Sequence, residues 1–370
     1  MDILVLDSSR QVVGVVDVFE SFIWTERYYR CGDFELVVEP SIELMDLLQQ
    51  ERYLSIYDSE YVMIIEKLEL TTDNESGNKL IVSGRSVESV LDRRIIEVYT
   101  RLVEDIETSI LWLLDQHVIN PTNTWRKIPE ITKVASSDAR VRIPEYEGEH
   151  TGDNLYETIC KLCELGDFGF KMTLNASNLF LFQIYMGVDR SYAQTVNPYV
   201  VFSPEFDNLI NSNYIESNQT LKTVARVGGV GDADNRKYKN VAVGGGAGLL
   251  RREIFVDGSD LTYELEPAVT ETDPETGLVT HTPAVTLSDY EYEMSLASRG
   301  YDVLKDHPAH SSFEGKAENL RMYMYGRDYF MGDTIQFEDI YGIKVSAKVV
   351  EFVRSYSESG ISQYPTFSVI

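Results

Sequence analysis

Cysteine is nearly missing from this sequence: Cys31, Cys160 and Cys163 are all there is in 370 residues. So odd and sparse a set supplies no disulfide framework. Basic side chains are scarce too. Against 60 aspartates and glutamates stand 33 lysines and arginines, a net charge of −27. A surface of that sign repels phosphate backbones and anionic bilayers, which argues against stable nucleic-acid or membrane binding through a basic face. No stretch approaches the roughly 18 uncharged apolar residues that span a membrane. The opening MDILVLDSSRQVVGVVDV lacks the basic segment, long apolar core and cleavage site of a secretory signal.

Chemical motifs are thin in the same way. The five histidines form no H-E-x-x-H, and Pro308 breaks the pairing of His307 with His310. There is no G-x-S-x-G elbow for a nucleophile. The run VGGGAGLLRREIF lacks the Lys-Ser/Thr of a phosphate loop and leads into a strand pattern rather than a helix. CKLC, at Cys160 and Cys163, has redox spacing. It lies in the helical run NLYETICKLCELG, where both sulfurs fall on or beside the apolar face of Leu155, Tyr156 and Ile159. No second Cys or His pair follows at zinc spacing. We therefore expect no catalytic residue, no cofactor and no metal. Carboxylate pairs are harder to dismiss, because 60 acids place some of them in any cleft. Asp328 and Asp333, in GRDYFMGDTIQF, pose that question most directly. A glycan-processing enzyme or a carbohydrate-binding protein is thus the alternative to a structural role.

What is present is β pattern. The first 95 residues give short strands about ten residues apart, with DNESGN as a hairpin loop and Gly77 free to take positive φ. Such a meander suits a small antiparallel barrel. In GRSVESVLDRR, Ser86 is placed to cap a helix. VEDIETSILWLLDQHV reads as a helix with Ile106, Ile110, Leu113 and Leu114 on one stripe. The next helix starts at Asp153 or Asn154, ends at Gly166, and leads into a hairpin around NASN. SDYEYEMSLASRGYDVLKD is a further helix, preceded by a Thr-rich polar stretch with a turn at DPETG. The last sixty residues return to strands. Gly32-Asp33 precedes the alternation Phe34 to Val37, and Gly332-Asp333 precedes Thr334 to Phe337. We read both pairs as structural turns. Gly332 would permit the tight turn and Asp333 would bond its own backbone locally. The fold class is α+β, β-rich and multidomain.

Several stretches together resemble the hub proteins at the tip of bacteriophage tails. These are the N-terminal structural part of siphophage tail-associated lysins, the prophage endopeptidase tail family, similar in turn to the central hub of contractile-phage baseplates. The stretches are WTERYYRCGDFELVVEP, VSGRSVESVLDRRII, GVDRS followed by VVFSPEFDNLINSNYIES, GLLRREIFVDGSDL, and YGRDYFMGDTIQFEDIYGIKVSAKVVEFVRSYSESG. The resemblance implies two small antiparallel β-barrel-like domains with α+β insertions: 1–95 for the first barrel, 201–240 with 310–370 for the second, and 96–200 with 241–309 for the α+β part. It implies a homotrimeric ring at the tail tip of the virion, made in the host cytoplasm. The implied partners are a hexameric distal tail protein and the tail tube, tape-measure and receptor-binding proteins, with DNA only passing through. Many relatives continue into a peptidoglycan-cutting region, and this sequence stops at YPTFSVI, so the expected role is not enzymatic.

Overall fold

Alternating apolar and polar residues build one large sheet in the computed structural model, which describes residues 1–73, 77–231, 235–244, 246–266, 269–272, 279–282, 285–317, 322–357 and 360–369. The chain forms two units, Met1–Asn213 with Phe313–Ile370, and Tyr214–Ser312. The class is α+β and β-rich, with several sheets.

In the first unit an eleven-stranded sheet runs Val201–Phe202, Thr334–Glu338, Lys344–Ser357, Ser21–Arg27, Asp33–Val38, Gly77–Ser86, Val62–Asp73, Tyr53–Ile56, Ile3–Leu6, Val12–Val16. The eleventh strand, Gly360–Val369, pairs with Lys344–Ser357. Phe22 and Trp24 are buried while Ile23 between them is exposed, the period of two that a half-buried strand requires. Phe34, Leu36 and Val38 repeat it one strand over and join the same core.

Some strands of both expected β regions meet in this one sheet, through Lys344–Ser357. Its 14 residues are long enough to pair with two partners end to end. Lys344 to Lys348 pair with Thr334–Glu338, and Glu351 to Ser357 pair with Ser21–Arg27.

Residues 96–185 add a helical layer to the same unit. Asp105 accepts a hydrogen bond from the Thr108 amide and starts the helix Ile106–Leu114. The stripe Ile106, Ile110, Leu113 and Leu114 is fully buried. Asn154 caps the helix Leu155–Gly166, and Asp167 leaves it in the left-handed region at φ 61°. The hairpin Gly169–Leu174 with Phe180–Tyr185 follows. These elements share a core with Leu6, Val62, Val87 and Leu91, so the helical layer packs on the N-terminal strands. Ser86 does stand at the start of a 3-10 turn, Val87–Arg93, but makes no cap there. Its hydroxyl instead accepts from the Gly32 amide at 2.8 Å.

The second unit centres on a three-stranded sheet: Tyr238–Ala242, Val224–Gly228, Glu253–Asp257. The helix Asp289–Lys305 covers one face and begins with a capping box between Ser288 and Glu291. Ala225, Val227, Val241 and Val256 form the buried seam with Tyr292 and Leu296. A Cβ on Gly300 would stand 2.5 Å from Val241, so only glycine lets the helix lie this close. Residues 224–240, grouped by sequence with the last strands, pair here instead. Val224–Gly228 finds both neighbours within the next thirty residues. The DPETG turn lies outside the described residues.

Candidate functional site

The stretch MGDTIQF meets the stretch GVDRS. Gly332 sits at φ 86° with its amide bonded to the Val349 carbonyl at 2.8 Å. A Cβ there would come 2.3 Å from the Tyr28 ring. The Asp333 carboxylate accepts from the Phe330 amide at 3.0 Å, a local turn bond. It also accepts from the Val188 amide at 2.8 Å and from Arg190 Nε at 2.7 Å. Asp333 and Arg190 are both buried, with side-chain exposures of 3% and 14%. Backbone bonds extend the join: the Arg190 amide to the Thr334 carbonyl, the Thr334 amide to Val188, and the Gln336 amide to Val200. Asp333 thus clamps a segment far away in sequence onto the sheet, a role that sequence reasoning missed. The one local signal was an acid immediately before the strand Thr334–Glu338. Nothing local shows which arginine it meets.

Asp328 is engaged elsewhere. It accepts from the Met324 amide at 2.8 Å and pairs with Arg327 at 2.7 Å, and that arginine holds its carboxyl below the usual range. Asp328 and Asp333 are therefore two ionic anchors with separate partners. General acid chemistry needs a carboxyl kept protonated, and the Arg327 pairing works against that at Asp328.

A second buried pair lies in the same unit. Glu26 and Arg354 are 3% and 5% exposed and stand 2.5 Å apart. Glu26 also accepts from Ser59 at 2.6 Å and from the Tyr325 hydroxyl at 3.0 Å. Arg354 donates to the Asp58 carbonyl at 2.9 Å and lies over the Phe352 ring. Tyr325 stacks on Phe352 with centroids 3.9 Å apart. Both members of this charge pair have further hydrogen-bond partners, which is what a buried pair needs to hold. Burial pushes the hydroxyls of Tyr61, Tyr185 and Tyr325 well above their ordinary value, so they stay neutral donors.

Two cavities flank these pairs and share Glu60 and Tyr325 as a wall. One, of about 620 Å³, is lined by Tyr57, Asp58, Arg327, Arg354 and Gln363. The other, of about 240 Å³, is lined by Tyr61, Tyr185, Arg190, Phe330 and Asp333. Glu60 is paired with Lys171. Glu88, whose carboxyl burial pushes up to about 7, is sealed in the core with Oε1 on the Met172 amide, out of reach of a substrate.

The remaining expected positions are structural in geometry. A Cβ on Gly32 would meet the Thr25 carbonyl at 2.0 Å, and Asp33 pairs with Arg27 at 2.5 Å near the surface. All three cysteines are buried and free, and burial pushes the Cys160 thiol up to about 12, which removes the reactive thiolate. Gly248–Leu250 is a 3-10 turn leading to a strand, not a helix start for phosphate. Among the described residues no group of His, Cys, Asp and Glu is arranged to hold a metal ion.

This architecture is similar to that of solved prophage tail proteins. The chain aligns over 100% of its length with the 43 kDa tail protein of prophage MuSo2 from Shewanella oneidensis, covering 98% of it at 11% identity and TM-score 0.58. It aligns equally fully with a tail protein from Neisseria meningitidis MC58, at 96% coverage, 10% identity and TM-score 0.57. Prophage tail protein gp18 from Listeria monocytogenes EGD-e is similar at 94% coverage, 12% identity and TM-score 0.53. At such identities the likeness is one of fold. The family is fixed by sequence: residues 2–367 match the siphovirus ReqiPepy6 Gp37-like protein model, and the chain belongs to that family. No curated protein matches it.

Proposed function

We propose that this chain is a structural hub at the tail tip of a phage or prophage. It forms a trimeric ring that caps the tail tube, docks on the hexameric distal tail ring and lets DNA pass at adsorption. The observation that carries this reading is the full-length match in fold to prophage tail proteins, joined to membership of a siphovirus family. The charge supports it: a −27 chain around a channel repels DNA and keeps it sliding. The site supports a non-enzymatic role, because Asp333, Glu26 and Glu60 are each spent on a cation.

The test is the mass and shape of the purified protein. Light scattering and negative-stain imaging should show threefold rings, alone or on addition of the distal tail ring. A protein that stays monomeric in both conditions overturns the reading, as does turnover of host wall glycan that single Asp or Glu substitutions abolish.

A further inference from the structure

The buried pair Glu26 and Arg354 holds two distant turns at fixed positions. Arg354 donates to the Asp58 carbonyl at 2.9 Å and Ser59 donates to Glu26 at 2.6 Å, which pins the turn after Tyr53–Ile56. The Tyr325 hydroxyl donates to the other Glu26 oxygen at 3.0 Å, which pins the stretch ahead of Thr334–Glu338. Both turns line the cavity of about 620 Å³, within the roughly 300–1,000 Å³ of small-molecule sites. All of its lining residues belong to the first unit. A buried ion pair seldom adds net stability over an apolar replacement, and its use is then to fix one geometry. Here the geometry it fixes is that of the cavity's two lips.

The chemistry of the lips selects the ligand. Four charged side chains line the cavity, and three of them are paired: Arg354 with Glu26, Arg327 with Asp328, and Glu60 with Lys171. The fourth, Asp58, is exposed and has no ionic partner among the described residues. Beside it Tyr57 stands 99% exposed at the rim. An anion therefore meets no free cation here, and a purely apolar ligand would strip water from Asp58 and Arg327 without replacing it. A neutral polyhydroxyl compound satisfies both. Its hydroxyls donate to the Asp58 carboxylate. They accept from Arg327, which binds Asp328 through Nε and Nη2 and keeps Nη1 for a ligand. The C–H face of a pyranose ring lies against the electron-rich face of Tyr57. We infer that this cavity binds a neutral saccharide, with Tyr57 as its platform, Asp58 as acceptor and Arg327 as donor. Lips already held in place lower the entropy lost on binding. The cavity lies within one chain, so the inference goes beyond the ring reading and does not depend on it.

The experiment titrates the full chain with glucose, galactose, N-acetylglucosamine, maltose, lactose and chitobiose, read by saturation-transfer NMR and calorimetry. Inorganic phosphate and lysine serve as charged probes. At least one sugar should bind saturably, one per chain. Tyr57→Ala and Asp58→Asn should each weaken it at least about tenfold. Trp125→Ala, which removes another exposed aromatic of the first unit, should match the parent. Thermal unfolding checks that the variants fold, and Asp58→Asn keeps the carbonyl that Arg354 holds. If no sugar binds, or if Tyr57→Ala and Asp58→Asn bind as the parent does, this inference falls while the ring reading stands. A chain that binds sugar yet stays monomeric with the distal tail ring sinks the ring reading alone. Binding of phosphate or lysine at these residues in place of sugar would also overturn the inference, making the cavity an ion or amine site.

Discussion

Gly32-Asp33 and Gly332-Asp333 stand 300 residues apart, and each leads into a strand of the same sheet. Their surroundings differ in every physical respect. Gly332 needs its positive φ, whereas Gly32 is needed because the Thr25 carbonyl leaves no room for a Cβ. Asp33 is a half-exposed partner of Arg27. Asp333 is buried against Arg190 and binds two further amides. A shared local pattern thus specifies a shared local shape, a chain entering a strand. What the acid is worth depends on a partner the pattern does not contain.

The sharpest way to break that comparison is Asp333→Ala. It leaves Arg190 buried without its carboxylate, which costs about 3–5 kcal/mol, read as a lower denaturant midpoint. Next comes Gly332→Ala, which combines the left-handed backbone with contact on Tyr28, roughly 2–4 kcal/mol by the same measurement. Glu88 sharpens the contrast from the other side, since it is as deeply buried but has no partner on Oε2. Its carboxyl is raised from 4.5 to about 7 in the folded chain. Its stabilising share is therefore complete below pH 4.5 and lost as pH climbs to 7, because the unfolded chain releases the proton first. The loss should be roughly 2–3 kcal/mol between pH 4.5 and 8 in urea titrations, and Glu88→Gln should flatten it. Smallest is Asp33→Ala, at about 0.5 kcal/mol, since its pair with Arg27 is solvated and screened. Equal effects at Asp33 and Asp333 would erase the distinction.

Periodicity carried much of the fold into view. The stripe Ile106, Ile110, Leu113, Leu114 is buried to the last residue, and Cys160 and Cys163 pack in the apolar core. Gly77 takes φ 83° beside its hairpin loop. These features depend on neighbours three or four residues away, or on one turn, and so are written locally. What stayed hidden depends on long-range pairing. Ser86 could cap a helix or serve Gly32, and only the folded chain decides for Gly32. Val224–Gly228 could join either β region, and its partners in the following residues decide that. Asp333 was legible as part of a turn, yet Arg190 lies 143 positions away and nothing in GDTIQF names it.

The long strand Lys344–Ser357 has a consequence in time. Glu351 bonds Arg27 across 324 positions, so Ser21–Arg27 has one edge without a neighbour until almost the whole chain has left the ribosome. At about 5–20 residues per second that wait is roughly 15–65 s. Through it, a nascent chain offers a strand edge that the Lys344–Ser357 strand of any sister chain could fill. Production of this protein is therefore a race between a chain's own Lys344–Ser357 strand and its neighbour's, and crowded polysomes favour the neighbour.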